Sequence, residues 1–245
     1  MWSLLKEVTK SMLFYESPFK LELIGRILEK DGNPLEYSTR SVEQLKDVLM
    51  DPKKAHPEGV VYYMFRDVYG HGSLRYDVTV IPPRMFGEEY VKTYGHYHSE
   101  AKEGKSYPEL YQILNGEAIF VMQTPHRDGS MDVIITKCKK GDVIFVPPNY
   151  GHVMINPSHS STLVSANIVS NSFSSEYGDY KENHGGAYYY TTDGLVQNLN
   201  CIVRKTEKLA PKELLSKHNL EVGDLLKELT ESPEKLEFLE DPTLI

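Results

Sequence analysis

Between Val60 and about Val203 the chain is written as short β-rich runs separated by turn residues, with no helical period between them. The runs are 60–65, 74–81, 109–114, 117–123, 131–136, 143–146, 152–155, 162–169 and 187–191. Valine, isoleucine and aromatic residues crowd them, and such side chains suit a pleated, half-buried surface. Many short strands without crossover helices point to an all-β sandwich or small barrel. Asn115-Gly116 lies between two of the runs, and Asn-Gly is a strong hairpin signal. The strands on either side are therefore expected to pair.

The flanks read differently. Residues 1–58 are mixed and are expected to form a helical and strand extension packing on the barrel. Within them Ser41 and Gln44 have the spacing of a capping box, which opens a short helix through Leu49. Pro52 and Pro57 mark a loop. The barrel is expected over 59–204 and a helical tail over 205–245. In the tail, Pro211 suits a first helical turn. Leu225, Leu226 and Leu229 make an apolar stripe, and Ser232-Pro233 marks another helix start.

Charge and composition then narrow the function classes. A net charge of −8 argues against nucleic-acid binding, which needs clustered basic side chains. It leaves a small phosphorylated ligand open, because backbone N–H groups and hydroxyls can hold one. Cys138 and Cys201 are the two cysteines, and neither suggests a disulfide framework or a zinc knuckle. No apolar stretch approaches the roughly 20 residues that span a bilayer. The N-terminus lacks a basic start followed by an unbroken apolar run, so a cytoplasmic protein without a leader is expected.

His96 and His98 are two residues apart, so on a strand their imidazoles share a face and can converge on one ion. Glu109 opens the next strand, with Tyr111 and Ile113 on its face. Gly141, Pro147, His152 and Asn156 follow, the prolines stopping one strand before His152 begins another. These spacings resemble the two motifs of the cupin superfamily. His96, His98, Glu109 and Gly116 supply the first, and Gly141, Pro147, His152 and Asn156 the second. Two departures stand out. The connection 99–108 is longer than the superfamily's usual few residues, and Asn149 stands where glycine is usual. The resemblance implies a jelly-roll barrel in which His96, His98, Glu109 and His152 hold one divalent metal. Three imidazoles and a carboxylate favour Fe²⁺, Mn²⁺, Ni²⁺ or Zn²⁺ over ions that prefer all-oxygen shells, with Fe²⁺ first.

A narrower resemblance runs from about residue 35 to 200. The stretches Thr93-Tyr94-Gly95-His96-Tyr97-His98, Pro108-Glu109-Leu110-Tyr111 and Val146-Pro147-Pro148-Asn149-Tyr150-Gly151-His152 look like the archaeal cupin-type glucose-6-phosphate isomerases. Val60-Val61-Tyr62, Thr79 and Tyr177-Gly178 fit the same family. The resemblance implies interconversion of glucose 6-phosphate and fructose 6-phosphate. It places Thr79, Thr93 and Gly95 on the phosphate and Tyr62, Tyr111 and Tyr177 at the sugar. Glu109, His152 and Tyr111 would carry the chemistry, and a homodimer is implied. Ser175 stands where the family tends to have histidine, and His184 is a candidate substitute.

Thr93 is out of phase with His96 on a regular strand, so the two cannot both face inward unless the strand kinks. A bulge at Tyr94–Gly95 is therefore expected. Two further function classes stay open from sequence. One is another metallo-cupin enzyme, a dioxygenase or a sugar epimerase-like protein. The other is a sugar-phosphate-binding cupin without turnover.

Overall fold

The structure, a computed structural model, describes residues 11–245. The reading of the N-terminus for a leader rests largely on residues 1–10, which lie outside them. Two antiparallel-rich sheets form the core. The larger has six strands in the order Val143–Val146, Glu109–Asn115, Leu163–Ser170, Leu74–Ile81, Val60–His71 and Ser38–Ser41. The smaller runs Gly151–Ile155, Glu117–Pro125, Ser130–Lys139 and Ile202–Lys208, the last joining parallel to its neighbour. The sheets face each other across a buried core: the Tyr111 ring of one lies 5.0 Å from Phe120 of the other. This is a jelly-roll cupin architecture, with the site between the sheets.

The Asn115-Gly116 expectation fails in an informative way. Glu109–Asn115 pairs with Val143–Val146 and Leu163–Ser170, whereas Glu117–Pro125 pairs with Ser130–Lys139 and Gly151–Ile155. Asn115-Gly116 is a corner between sheets, not a hairpin. Only Gly116 separates the two strands, and its φ of +81° turns the chain sharply. The local polar groups find other partners. Asn115 Nδ2 donates to the Thr162 carbonyl at 2.7 Å, and the Lys140 N–H donates to the Gly116 carbonyl at 3.1 Å. A hairpin-competent dipeptide yields when tertiary pairing offers both strands better neighbours.

The flanks cover the outer face of the larger sheet. Residues 11–34 fold into a small antiparallel meander rather than helix. The Ser41–Gln44 capping box is present, and it opens Val42–Leu45, which tightens to 3₁₀ geometry over Lys46–Val48. Helices Pro211–Lys217 and Leu225–Glu231 follow the barrel, with the apolar stripe of the second wholly buried. Gln112 shows how the layers join: it donates to Asp224 at 3.1 Å and accepts from the Leu225 N–H at 3.0 Å, while Tyr15 donates to Asp224 at 2.9 Å. Strand Glu109–Asn115 is buried on both faces for this reason. Among the described residues no helix is long and apolar enough to cross a membrane.

Candidate metal centre and its cavity

His96 and His152 meet on an irregular edge of the smaller sheet, exchanging backbone hydrogen bonds of 3.4 and 3.1 Å. Four residues upstream, Lys92 bridges Ile155. Three residues, 93–95, thus lie opposite two, 153–154, so one extra residue has been inserted. The expected kink is there, and Gly95 sits in it with φ +87°. A Cβ at that position would come within 2.4 Å of Tyr180 Cδ1 and 2.7 Å of Val153 Cγ2. The bulge lets Thr93 and His96 line the same cavity.

The four expected ligands converge. One ligating atom from each of His96, His98, Glu109 and His152 lies within 4.8 Å of the others. His98 Nε2 is 3.2 Å from His96 Nε2 and 3.3 Å from Glu109 Oε2, and His152 Nε2 is 3.4 Å from the same carboxylate oxygen. Ligand atoms about 2.0–2.2 Å from an ion lie roughly 3 Å or a little more apart when adjacent, so the spacing fits one cation. His98 Nδ1–H donates to the Tyr107 carbonyl at 2.8 Å, which leaves the Nε2 lone pair facing inward. The Tyr111 hydroxyl lies 2.9 Å from His152 Nε2. Asn167 Nδ2 donates to Glu109 Oε1 at 2.7 Å, whereas Oε2 is buried with no hydrogen-bond partner. An unpartnered buried carboxylate oxygen beside inward-facing imidazole lone pairs is a repulsive arrangement that a cation resolves.

The electrostatics agree. Burial drives His96 well below the ordinary histidine range, with His152 and His98 adding to it. Burial also pushes His152 down to about 4, against a partial counterpull from Glu109. Both are neutral at pH 7, as metal ligands must be. Burial alone would raise Glu109, but His98 and then His152 outweigh it and hold the carboxyl below its usual range.

The cavity beside these groups is lined by residues from both sheets. Tyr62, Thr79, Thr93, Gly95, Tyr111 and Tyr177, all singled out from sequence, line it together. Tyr177 packs 5.7 Å from the His96 ring. Thr93 Oγ1 accepts from the Met154 N–H at 3.0 Å, so part of its capacity is spent on the bulge. Ser175 is also on the wall. His184 is not: its ring faces the Asp47 carbonyl, 3.4 Å away, and it does not replace the missing histidine.

Sequence reasoning missed Arg40, Arg66, Asn167 and Phe173, all on the cavity wall. It took the pocket to lack basic groups. Arg40 Nε donates to the Tyr62 hydroxyl at 3.3 Å, and its guanidinium lies 5.3 and 5.5 Å from the Tyr94 and Tyr177 rings. Arg66 is paired with Asp77 at 3.3 Å, whereas Arg40 has no carboxylate partner among the described residues. Arg40 was hidden because residues 1–58 read as an extension. Asn167 left a readable trace: Ser165 and Asn167 share one face of an otherwise apolar strand.

Comparison with known proteins gives the same direction. A profile of the glucose-6-phosphate isomerase family matches residues 40–206. The glucose-6-phosphate isomerase of Thermococcus litoralis is 30% identical over 151 residues, 58% of this chain and 73% of that one. That of Thermococcus gammatolerans is 32% identical over 106 residues, 42% of this chain and 52% of that one. That of Pyrococcus furiosus is 26% identical over 152 residues, 58% and 74% of the two chains. With the profile spanning most of its length, this chain belongs to the glucose-6-phosphate isomerase family.

Proposed function

We propose that the protein interconverts glucose 6-phosphate and fructose 6-phosphate in this cavity. In this reading His96, His98, Glu109 and His152 hold one divalent transition metal, with Fe²⁺ ranked first because mixed imidazole–carboxylate shells with open positions are common for it. The observation that carries the reading is the orphaned Glu109 Oε2, set among imidazole nitrogens at the end of a cavity that also holds an unpaired arginine. Arg40, Thr79, Thr93 and the Gly95 N–H are assigned to the phosphate. Tyr62, Tyr111 and Tyr177 are assigned to the sugar.

Bound there, a divalent metal would supply Lewis acidity toward the C1 or C2 oxygen of the open-chain sugar. Glu109 is assigned to take the C2 proton and return it at C1. Its lowered basicity makes it a reluctant base, so a direct hydride shift between the two carbons competes with that route. Tyr111 stays protonated, because burial, then Glu109, pushes its hydroxyl well above the ordinary phenol range. It therefore keeps its proton at neutral pH and is assigned as a donor to a sugar oxygen in a complex. An oxygenase on this scaffold needs no anion pocket, and Arg40 with two threonines favours the phosphosugar. A homodimer in the cytoplasm completes the proposal on the strength of the resemblance.

The test is an assay with fructose 6-phosphate and a coupled dehydrogenase that reports glucose 6-phosphate. Turnover should vanish on chelation and return with one or more of Fe²⁺, Mn²⁺, Ni²⁺ and Zn²⁺. Turnover indifferent to chelation would overturn the metal assignment, and none with any of the four ions would overturn the isomerase assignment.

A further inference from the structure

The long connection between His98 and Glu109 and the residues beyond 206 raise the same question, because neither supplies one of the four ligands. The family match stops at residue 206. The connection folds into a small hairpin, Glu100–Lys102 against Lys105–Ser106. Two parts of the chain hold it from different sides.

From the turn before His152, Asn149 Oδ1 accepts from the Ser106 N–H at 2.8 Å and Asn149 Nδ2 donates to the Gly104 carbonyl at 3.1 Å. The Asn149 N–H also donates to Ser106 Oγ at 2.7 Å. From the tail, Lys105 Nζ donates to the Pro242 carbonyl at 3.0 Å and to the Ile245 carbonyl at 2.9 Å, and Lys102 pairs with Asp241. The tail is itself rooted in the core. Leu236 and Leu239 are fully buried, and the Phe238 ring packs 5.9 Å from Phe145 on strand Val143–Val146. Directly after the hairpin comes Tyr107, whose carbonyl accepts the His98 Nδ1–H.

An imidazole ligand is oriented by whatever its other nitrogen donates to. We propose that Lys105 and Asn149 are positioning residues for the metal ligand His98, and that residues 233–245 brace the hairpin so that the Tyr107 carbonyl is held against the His98 ring. The long connection and the tail are then two halves of one device. Asn149 replaces the glycine usual at its place because its side chain, and no glycine, reaches the hairpin. Its φ of +67° is one that asparagine tolerates and glycine adopts freely. The proposal rests on His98 being a metal ligand.

The experiment is a titration of metal-free protein with Co²⁺ against a competing chelator. It compares the unsubstituted chain with Lys105→Met, Lys105→Arg and Asn149→Gly, and follows the Co²⁺ absorption spectrum and the melting temperature of each metal-free form. Loss of an outer-shell partner typically weakens metal binding by about 10- to 100-fold. Lys105→Met and Asn149→Gly keep that partner and remove only its support, so the dissociation constant should rise by several-fold, up to about tenfold, with an altered spectrum. Lys105→Arg should restore most of the affinity, and the metal-free melting temperatures should stay close to one another. Affinity unchanged in both variants would overturn the proposal. Absence of Co²⁺ binding by the unsubstituted chain would instead sink the metal reading beneath it. Asn149→Gly decides the matter alone if Lys105→Met does not fold, since glycine fits the backbone at that position.

Discussion

His152 joins more of the site than any other side chain, touching the Tyr111 hydroxyl, the Glu109 carboxylate and, through its backbone, His96. Replacing it with alanine should abolish metal retention, read as metal content after dialysis, while the circular dichroism of the β core is kept. Arg40 acts differently. Its charge sits half-buried without a carboxylate, and Tyr62 and Tyr177 help offset the desolvation. Hydrogen bonds to charged groups contribute about 1.5–3 kcal/mol each, so Arg40→Ala should raise KM for the phosphosugar by roughly tenfold or more. Its effect on kcat should be smaller, because phosphate binding is the same in ground and transition states. Glu109 can be tested without mutation. Sugar deuterated at C2 should lose its label to water if Glu109 shuttles the proton. It should keep the label at C1 if hydride moves directly. Mass spectrometry of the product distinguishes the two.

At the scale of the element, the decisive feature is the bulge at 93–95. A regular strand would send Thr93 and His96 to opposite faces, and the inserted residue restores the phase. Gly95 permits it on two counts, a positive φ and a close approach to the Tyr180 ring. Gly95→Ala therefore adds both backbone strain and a clash with a fully buried ring. The cost should be about 2–4 kcal/mol, combining αL strain with overpacking. A denaturant titration should show it as a lower midpoint at unchanged slope. An undiminished midpoint would mean that the bulge has another way to accommodate a side chain. The Asn115-Gly116 corner makes the complementary point: the same glycine conformation that closes hairpins here sends the chain from one sheet to the other.

For the molecule as a whole, the four ligands come from the 96–98 edge and from strands Glu109–Asn115 and Gly151–Ile155, which belong to different sheets. A metal bound to all four ties the sheets together, and it has no such set in the unfolded chain. At about a hundredfold excess over its dissociation constant, a ligand of the native state contributes about 2.7 kcal/mol. For a chain of this size that corresponds to roughly 5–10 °C in melting temperature. Scanning calorimetry with and without metal should show the rise, and His152→Ala should lose it.

The sequence by itself determined the local parts. Strand positions, the His96–His98 shared face, the need for a kink before His96 and the capping box at Ser41 all follow from side-chain period and backbone preference, which act over a few residues. The cupin spacing carried this further, because its motifs record which strands meet. Tertiary structure alone decided which strand pairs with which, and so turned an apparent hairpin into a corner. It also brought Arg40 from a flanking strand onto Tyr62, and joined Lys105 to Pro242 across more than half the chain. Contacts between residues so far apart leave no periodic trace in a single sequence. They are chosen by the joint packing of both sheets, where each buried polar group takes the partner that the whole arrangement leaves within reach.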